Sequence, residues 1–150
     1  MSDLSDLYQQ AVLDHNRKPR NFRRLPDPDG TAEGYNPLCG DLINVDVKMD
    51  GEVIREIAFE GGGCAISKAS ASMMTEVVKG MTRDEAKEFF DSFRTAITEG
   101  VDFFEAIDRL GKLAALTGVS EFPARVKCAV LAWYTLRAAL DGSKATVTTE

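Results

Sequence analysis

Long apolar runs are missing from this sequence, and none approaches the length of a membrane-spanning helix, so we expect no membrane segment. The first residues also lack the basic and apolar stretches of a secretory signal. Basic residues are fewer than acidic ones, with 18 Lys and Arg against 24 Asp and Glu, so the net charge is −6. A nucleic-acid partner therefore has no electrostatic support. A length of 150 residues suits one domain, 1–150, with a frayed tail over 141–150.

Cysteine and histidine are also scarce, with three cysteines and one histidine in the chain. Three thiols cannot form a closed set of disulfides. An odd count without an export signal indicates a reducing compartment, which we expect to be the cytoplasm. Neither a Cys-x-x-Cys nor a Cys-x-x-His motif occurs. Each cysteine taken alone is compatible with a small, buried core side chain.

The settings of the three cysteines together favour metal binding. Cys39 and Asp41 flank Gly40, so both side chains can reach one ion from a loop that enters a strand. Cys64 follows three glycines and precedes a predicted helix, where free backbone amides favour a thiolate. Cys128 lies in the first turns of the last predicted helix. Three thiolates and one carboxylate can complete a four-coordinate shell for zinc or iron.

Three basic side chains, Arg125, Lys127 and His15, are candidates for supporting roles beside these four ligands. Arg125 precedes Cys128 by about one helical turn and can favour its thiolate. Lys127 is adjacent to Cys128 and either contacts a partner or faces solvent. His15, the single histidine, is expected to cap or pack, since the four-ligand shell is already full.

Hydrophobic periodicity predicts an α+β fold, a small antiparallel sheet of about three strands packed against several helices. Two alternating strands, 42–49 and 52–59, are joined at Asp50-Gly51, and a short third strand is expected near 31–35. The predicted helices are 4–16, 66–79, a helix capped at Thr82 that runs to Thr98, short pieces between Gly100 and Gly118, and 123–140. Core packing is expected of Met73, Met74, Phe89, Phe90, Phe93, Phe103 and Phe104.

Three segments resemble the cysteine motifs of the U-type iron–sulfur cluster assembly proteins, the family of SufU, IscU and the NifU N-terminal domain. They are Asn-Pro-Leu-Cys-Gly-Asp at 36–41, Gly-Cys-Ala-Ile-Ser at 63–67 and Pro-Ala-Arg-Val-Lys-Cys-Ala-Val-Leu-Ala-Trp at 123–133. Asp14-His15 followed by Pro19-Arg20-Asn21 resembles the family's opening helix and loop. The resemblance covers nearly all of 4–140 and implies a SufU/IscU-like fold.

Departures from the scaffold branch of that family resemble its SufU branch. IscU-like scaffolds carry a histidine immediately before the third cysteine, where this chain has Lys127. Their chaperone-recognition run, Leu-Pro-Pro-Val-Lys, is replaced by Glu-Phe-Pro-Ala-Arg, and the segment between Cys64 and Cys128 is longer. We therefore expect the SufU branch and no Hsp70-type chaperone partner.

The SufU resemblance implies a zinc ion held by Cys39, Asp41, Cys64 and Cys128. It further implies that Cys39 accepts persulfide sulfur from a SufS-type cysteine desulfurase and passes it toward a SufB-containing assembly complex, a sulfurtransferase-like activity. A loop cysteine moves more easily than one in a helix, so we expect Cys39 to be the thiolate that leaves the metal. Arg125 would contact the partner or tune the thiolates, as would Lys127.

Two other functions use the same four residues. The chain could be a scaffold on which a [2Fe–2S] cluster is assembled and delivered to apo-proteins, because thiolate sites accept zinc and clusters alike. It could also be an interaction module with a purely structural zinc. The SufU reading is preferred over the scaffold because of Lys127, and over the module because Cys39 lies in a loop.

Overall fold

Three consecutive strands followed by a run of helices form an α+β arrangement, described for residues 3–142 and 147–148 by a computed structural model. The predicted fold class is confirmed, and each predicted helix and strand is present with bounds shifted by at most a few residues. In chain order the elements are α1 (Asp3–Arg17), β1 (Gly30–Asn36), β2 (Asp41–Asp50), β3 (Val53–Gly62), α2 (Ala65–Val78), α3 (Arg83–Glu99), α4 (Phe103–Leu110), a 3₁₀ segment (Gly111–Glu121), α5 (Pro123–Leu140) and β4 (Val147–Thr148).

The sheet has the strand order β3-β2-β1-β4 in the described part of the chain. Strand β2 is antiparallel to both β1 and β3, as the alternating pattern predicts. Strand β4 adds a short parallel pair to β1, with Gly34 opposite Val147. The predicted frayed tail, 141–150, therefore contains a two-residue strand, and its residues 143–146 and 149–150 lie outside the described residues.

The β2–β3 hairpin turns one residue later than predicted. Asp50 pairs with Val53, so Gly51 and Glu52 form the loop. Gly51 has a φ of +62°, a conformation that glycine adopts without the steric cost of a Cβ.

Alternating strand residues pack against α2 and α5 to form the core. Ile43, Val45 and Val47 of β2 are buried, as their spacing predicts. At the centre Trp133 of α5 stacks on Phe89 and Phe90 of α3, with ring centroids 5.6 and 5.8 Å away. The expected core residues Met73, Met74 and Phe93 are also buried. Phe104 is the exception, because it lies on the outer face of the short helix α4 and is 62% exposed.

Hydrogen bonds hold α2 and α5 together close to Cys128 in the sequence. The Ser70 hydroxyl donates to the Ala129 carbonyl at 2.6 Å, and the Trp133 indole Nε1 donates to the same hydroxyl at 3.2 Å. Helix α5 also approaches β1 closely, because a Cβ at Gly34 would overlap Thr135 Oγ1 and lie 3.1 Å from Leu131 Cδ1. The contact at Gly34 limits the distance between α5 and the sheet.

The basic loop that follows α1 is tied to the protein by ion pairs. Arg24 Nε donates to the buried Asp46 carboxylate at 2.8 Å, and Arg20 Nη2 lies 2.5 Å from Asp14 Oδ2. A weaker pair joins Arg23 to Glu56 at 3.8 Å. Arg20, Arg23 and Arg24 of this loop are thus engaged within the chain.

His15 packs against α2, as expected for a residue outside the ligand set. It is 2% exposed, with Nδ1 2.6 Å from Ser72 Oγ and Nε2 3.4 Å from Glu76 Oε1. Burial, together with the charge of Arg20, lowers the pKa of His15. A neutral ring at pH 7 follows from that shift.

The capping box predicted at the start of α3 is present. Thr82 Oγ1 accepts from the Glu85 amide at 3.1 Å, and Glu85 Oε1 accepts from the Thr82 amide at 2.9 Å. Within the described ranges, no helix is long and apolar enough to cross a bilayer.

Replacement of Asp46 by alanine should destabilise the fold by about 3 kcal/mol, because it leaves the Leu25 amide and Thr31 hydroxyl without their acceptor. Burial raises the pKa of Asp46, but hydrogen bonds from Arg24, Thr31 and Leu25 outweigh burial and hold that pKa below its ordinary value. This stabilisation is present above the unfolded-state pKa and is lost as pH falls through the lower folded-state pKa. Urea unfolding at several pH values measures both effects.

The matched control is Glu56→Ala, which removes the half-exposed partner of Arg23 and should cost less than about 1 kcal/mol. Equal losses for the two variants would contradict the assignment of Asp46 as the anchor of the loop.

Candidate metal centre

The turn between β1 and β2 presents Cys39 at the surface. Asn36 pairs with Asp41 across the two strands, and the Gly40 amide donates to the Asn36 carbonyl at 2.9 Å. Gly40 has a φ of +72°, which closes the turn without a Cβ. Cys39 is exposed, whereas Asp41, the first residue of β2, is fully buried. Two candidate ligands that are two residues apart thus have opposite solvent exposure.

Three of the four predicted ligands converge closely. One donor atom from each of Cys39, Asp41 and Cys128 lies within 4.8 Å of the other two. Cys128 comes from the second turn of α5, is 1% exposed, and places its Sγ 3.2 Å from Cys39 Sγ. Residues that are far apart in the sequence are therefore neighbours in the fold.

Cys64 adjoins this group without belonging to its tightest part. It caps the N-terminus of α2, where its Sγ accepts from the Ser67 amide at 3.4 Å. The same Sγ lies 3.9 Å from Asp41 Oδ2, while the Cys64 amide donates to Asp41 Oδ1 at 2.8 Å. The helix-terminal setting predicted for Cys64 is confirmed.

Asn36 is a site residue that the ligand search missed. It is fully buried, and its Nδ2 donates to Asp41 Oδ2 at 3.3 Å and to Cys128 Sγ at 3.5 Å. It opens the Asn-Pro-Leu-Cys-Gly-Asp segment, which was the available signal. A search restricted to metal-ligating residue types passes over an amide.

The cluster concentrates acidic groups with no cation among its described contacts. Burial raises the pKa of the Cys128 thiol, and the neighbouring thiols of Cys39 and Cys64 and the charge of Asp41 raise it further. Anions packed this closely favour one another's protonation, and a divalent cation would relieve that repulsion. Thiolates with one carboxylate form a donor set suited to zinc or iron. The residues present therefore fit a metal ion.

The two predicted accessory residues lie at the edge of the centre. Arg125 is exposed, and its guanidinium lies over the Phe122 ring, 5.3 Å from the centroid. It is thus directed at Phe122. Burial is the main cause of the raised pKa of Cys128, and Arg125 is not among the groups that shift this pKa. Lys127 is half-buried beside Cys128. Their roles in partner contact or thiolate tuning remain predictions.

Fold and site together define a small α+β domain with a cysteine–aspartate cluster that could hold a metal ion at one end of its sheet. The model of the NifU-like N-terminal domain family matches residues 7–129. The chain belongs to this family. The recognition made from the three cysteine segments is confirmed.

Relatives from both functional branches of the family are similar to this chain. The zinc-dependent sulfurtransferase SufU of Bacillus subtilis is 43% identical over 135 residues, 90% of each chain. The iron–sulfur cluster assembly scaffold protein IscU of Streptococcus pyogenes is 41% identical over 143 residues, 95% of this chain and 88% of that one.

A solved structure supports the fold. It is that of a candidate iron–sulfur cluster assembly scaffold protein for the SUF system from Fervidobacterium islandicum, which is 32% identical with a TM-score of 0.79. The match covers 87% of this chain and 94% of that one.

Replacement of Gly63 by alanine should disrupt the centre. A Cβ at this position would overlap Asp41 Oδ1 and lie 2.8 Å from Asp41 Cα, so the carboxylate would have to move. We expect zinc affinity to fall at least about tenfold, the scale of a displaced supporting contact. Competition with a chromophoric chelator measures the change.

Gly62→Ala is the matched control, because a Cβ there meets only Lys68 Cδ at 3.8 Å. Zinc affinity should stay at the level of the unchanged chain. Unaltered affinity in Gly63→Ala as well would show that Asp41 need not be held by this close approach.

Proposed function

We propose that this protein is a zinc-dependent sulfur-transfer protein of iron–sulfur cluster biogenesis. Cys39 accepts persulfide sulfur from a SufS-type cysteine desulfurase and passes it to a SufB-containing assembly complex. The proposal depends above all on one observation, the exposure of Cys39 beside buried Asp41 and Cys128. A partner's persulfide can reach the first thiol and not the other two groups.

Cys39, Asp41, Cys64 and Cys128 are the residues that would hold the zinc. Bound zinc would keep these thiols deprotonated at neutral pH without changing oxidation state. The protein holds these ligands in two ways, some on helices and one on a turn. Cys64 and Cys128 are anchored on α2 and α5, and Cys39 lies on a turn that can move without disturbing a helix.

The transfer is a thiolate attack on a sulfur–sulfur bond. Cys39 Sγ attacks the outer sulfur of the desulfurase cysteine persulfide and forms a new sulfur–sulfur bond. The bond between the two donor sulfurs breaks, and the electron pair leaves with the desulfurase cysteine as its thiolate. Cys39 becomes a persulfide, and the total oxidation state of the sulfurs is unchanged. No external oxidant or reductant is needed.

The surface around Cys39 supports contact with a partner protein. Leu38, next to Cys39, is 63% exposed, and Phe122, beside Arg125, is 51% exposed. Apolar side chains next to a cation are typical of protein interfaces. Arg125 and Lys127 would lie at the edge of the contact, and the same contact would serve the desulfurase in place of an Hsp70-type chaperone. Three free thiols are also consistent with the cytoplasm as the compartment.

Single alanine variants of the three cysteine ligands test the proposal. Cys39→Ala should abolish sulfur acceptance, detected by intact-mass measurement of persulfide after incubation with a cysteine desulfurase and cysteine. Cys128→Ala and Cys64→Ala should lose zinc, because they remove the ligands anchored on helices. Zinc content measured on the same samples separates the acceptor from residues that only hold metal.

Phe104→Ala is the control, since it removes an exposed apolar side chain on the outer face of α4 and leaves every ligand in place. It should keep its zinc and accept sulfur on Cys39. Full sulfur acceptance by Cys39→Ala, with loss in Cys128→Ala, would assign the acceptor to Cys128 and contradict the proposal.

Assembly of a [2Fe–2S] cluster is the second candidate function, favoured by the similarity to IscU scaffold proteins and by a donor set that iron also accepts. Anaerobic reconstitution with iron and sulfide would then give a stable coloured cluster that transfers to an apo-ferredoxin. A structural zinc in an interaction module predicts neither sulfur acceptance nor cluster transfer.

A further inference from the structure

Asn36 connects the separate parts of the metal centre through one side-chain amide. Its Nδ2 contacts Asp41 Oδ2 at 3.3 Å and Cys128 Sγ at 3.5 Å, and its Oδ1 accepts from the Leu38 amide at 3.3 Å. These partners belong to β2, α5 and the turn that carries Cys39. Asn36 is fully buried, so water cannot replace any of these contacts.

Closing the turn does not by itself require this side chain. The main chain already closes it through the Asn36–Asp41 pair and through the bond from the Gly40 amide to the Asn36 carbonyl. A buried amide with polar contacts in three directions therefore needs another explanation. Its neighbours are two predicted ligands and the backbone next to a third.

The direction of the hydrogen bonds suits the charge of the site. Asp41 accepts from the Cys64 amide on Oδ1 and from Asn36 on Oδ2, so both carboxylate oxygens are oriented. The same Nδ2 group donates toward Cys128 Sγ. An uncharged donor stabilises a thiolate and a carboxylate without adding a cation that would compete with a metal ion.

We propose that Asn36 is a positioning residue of the metal centre, which orients Asp41 and Cys128 through its N–H groups and ties the Cys39 turn to them through its oxygen. The inference rests on the proposed metal binding and not on the sulfur-transfer step. Groups that hold ligands in place typically contribute about 10- to 100-fold to metal affinity.

Two substitutions separate the role of the Asn36 N–H groups from that of its oxygen. Asn36→Asp keeps an oxygen for the Leu38 amide and removes both N–H donors, whereas Asn36→Ala removes all of these contacts. Both should lower zinc affinity at least about tenfold, measured by chelator competition. Both should also shift or weaken the thiolate-to-cobalt charge-transfer band of the Co²⁺-loaded protein, normalised to bound metal.

Asn44→Asp is the matched control, because it makes the same chemical change on β2, on the strand face opposite the buried Ile43 and Val45. It should bind zinc and cobalt as the unchanged chain does. Thermal unfolding of every metal-free variant is measured in parallel. A purely structural role for Asn36 would lower metal-free stability while the spectrum per bound cobalt stayed the same, and that result would overturn the proposal.

These measurements use zinc and cobalt alone and no desulfurase. If the unchanged chain binds zinc but accepts no sulfur, the proposed function fails while the role of Asn36 can still be confirmed. Unchanged affinity and spectrum in both Asn36 variants overturn the positioning role even if sulfur transfer is confirmed. Failure of the unchanged chain to bind either metal through Cys39, Asp41 and Cys128 would overturn both.

Discussion

Burial of the Asp41 carboxylate is the constraint on which the rest of the site depends. A buried carboxylate is costly unless hydrogen bonds or a cation compensate it. Here the compensation comes from the Cys64 amide at the start of α2 and from the Asn36 amide at the end of β1. Each of these donors brings its own segment of chain to the same point. The hydrogen bonds of one buried carboxylate thus join the end of β1 to the N-terminus of α2.

The candidate ligands are held by different kinds of element and differ in exposure. Cys128 and Cys64 are held by helices that are bonded to each other through Ser70, Ala129 and Trp133. Cys39 is held by a short turn, and it is the exposed cysteine of the three. A stiff pair of helices and a looser turn therefore support the same metal centre. In the proposed function, the turn would carry the sulfur chemistry while the helices hold the metal ion.

Much of this fold follows from periodicity in the sequence. Alternation in β2 and β3, the capping box at Thr82 and the glycines before Cys64 each reflect local backbone physics, so they are readable without tertiary information. Strand β4 is two residues long and leaves no such pattern. Phe104 was expected in the core because aromatic residues usually pack inward, but it lies on the outer face of α4, whose buried residues are Ala106 and Leu110.

The ligand-type residues named from the sequence lie close together in the fold, whereas Asn36, which contacts two of them, was missed. Cysteine and aspartate identify themselves by chemistry, and three of the four predicted ligands meet within one small volume. Asn36 acts through the directions of its two amide atoms, which depend on where α5 lies in the fold. Arg125 was placed near Cys128 by helical spacing, yet the aromatic face of Phe122 attracts its guanidinium. Spacing along a helix does not include such competition.

The close approach of β1 to α5 at Gly34 bears on how the centre responds to change elsewhere in the protein. Cys128 and Thr135 lie on the same helix, two turns apart, and Thr135 rests against the β1 main chain. The Thr135 hydroxyl donates to the Leu131 carbonyl of its own helix, so a side chain added at Gly34 would displace a buried, hydrogen-bonded group of α5. A contact that contains no candidate ligand thus bears on the position of the helix that carries Cys128. The proposed metal affinity would then depend in part on how closely one helix can lie on one strand.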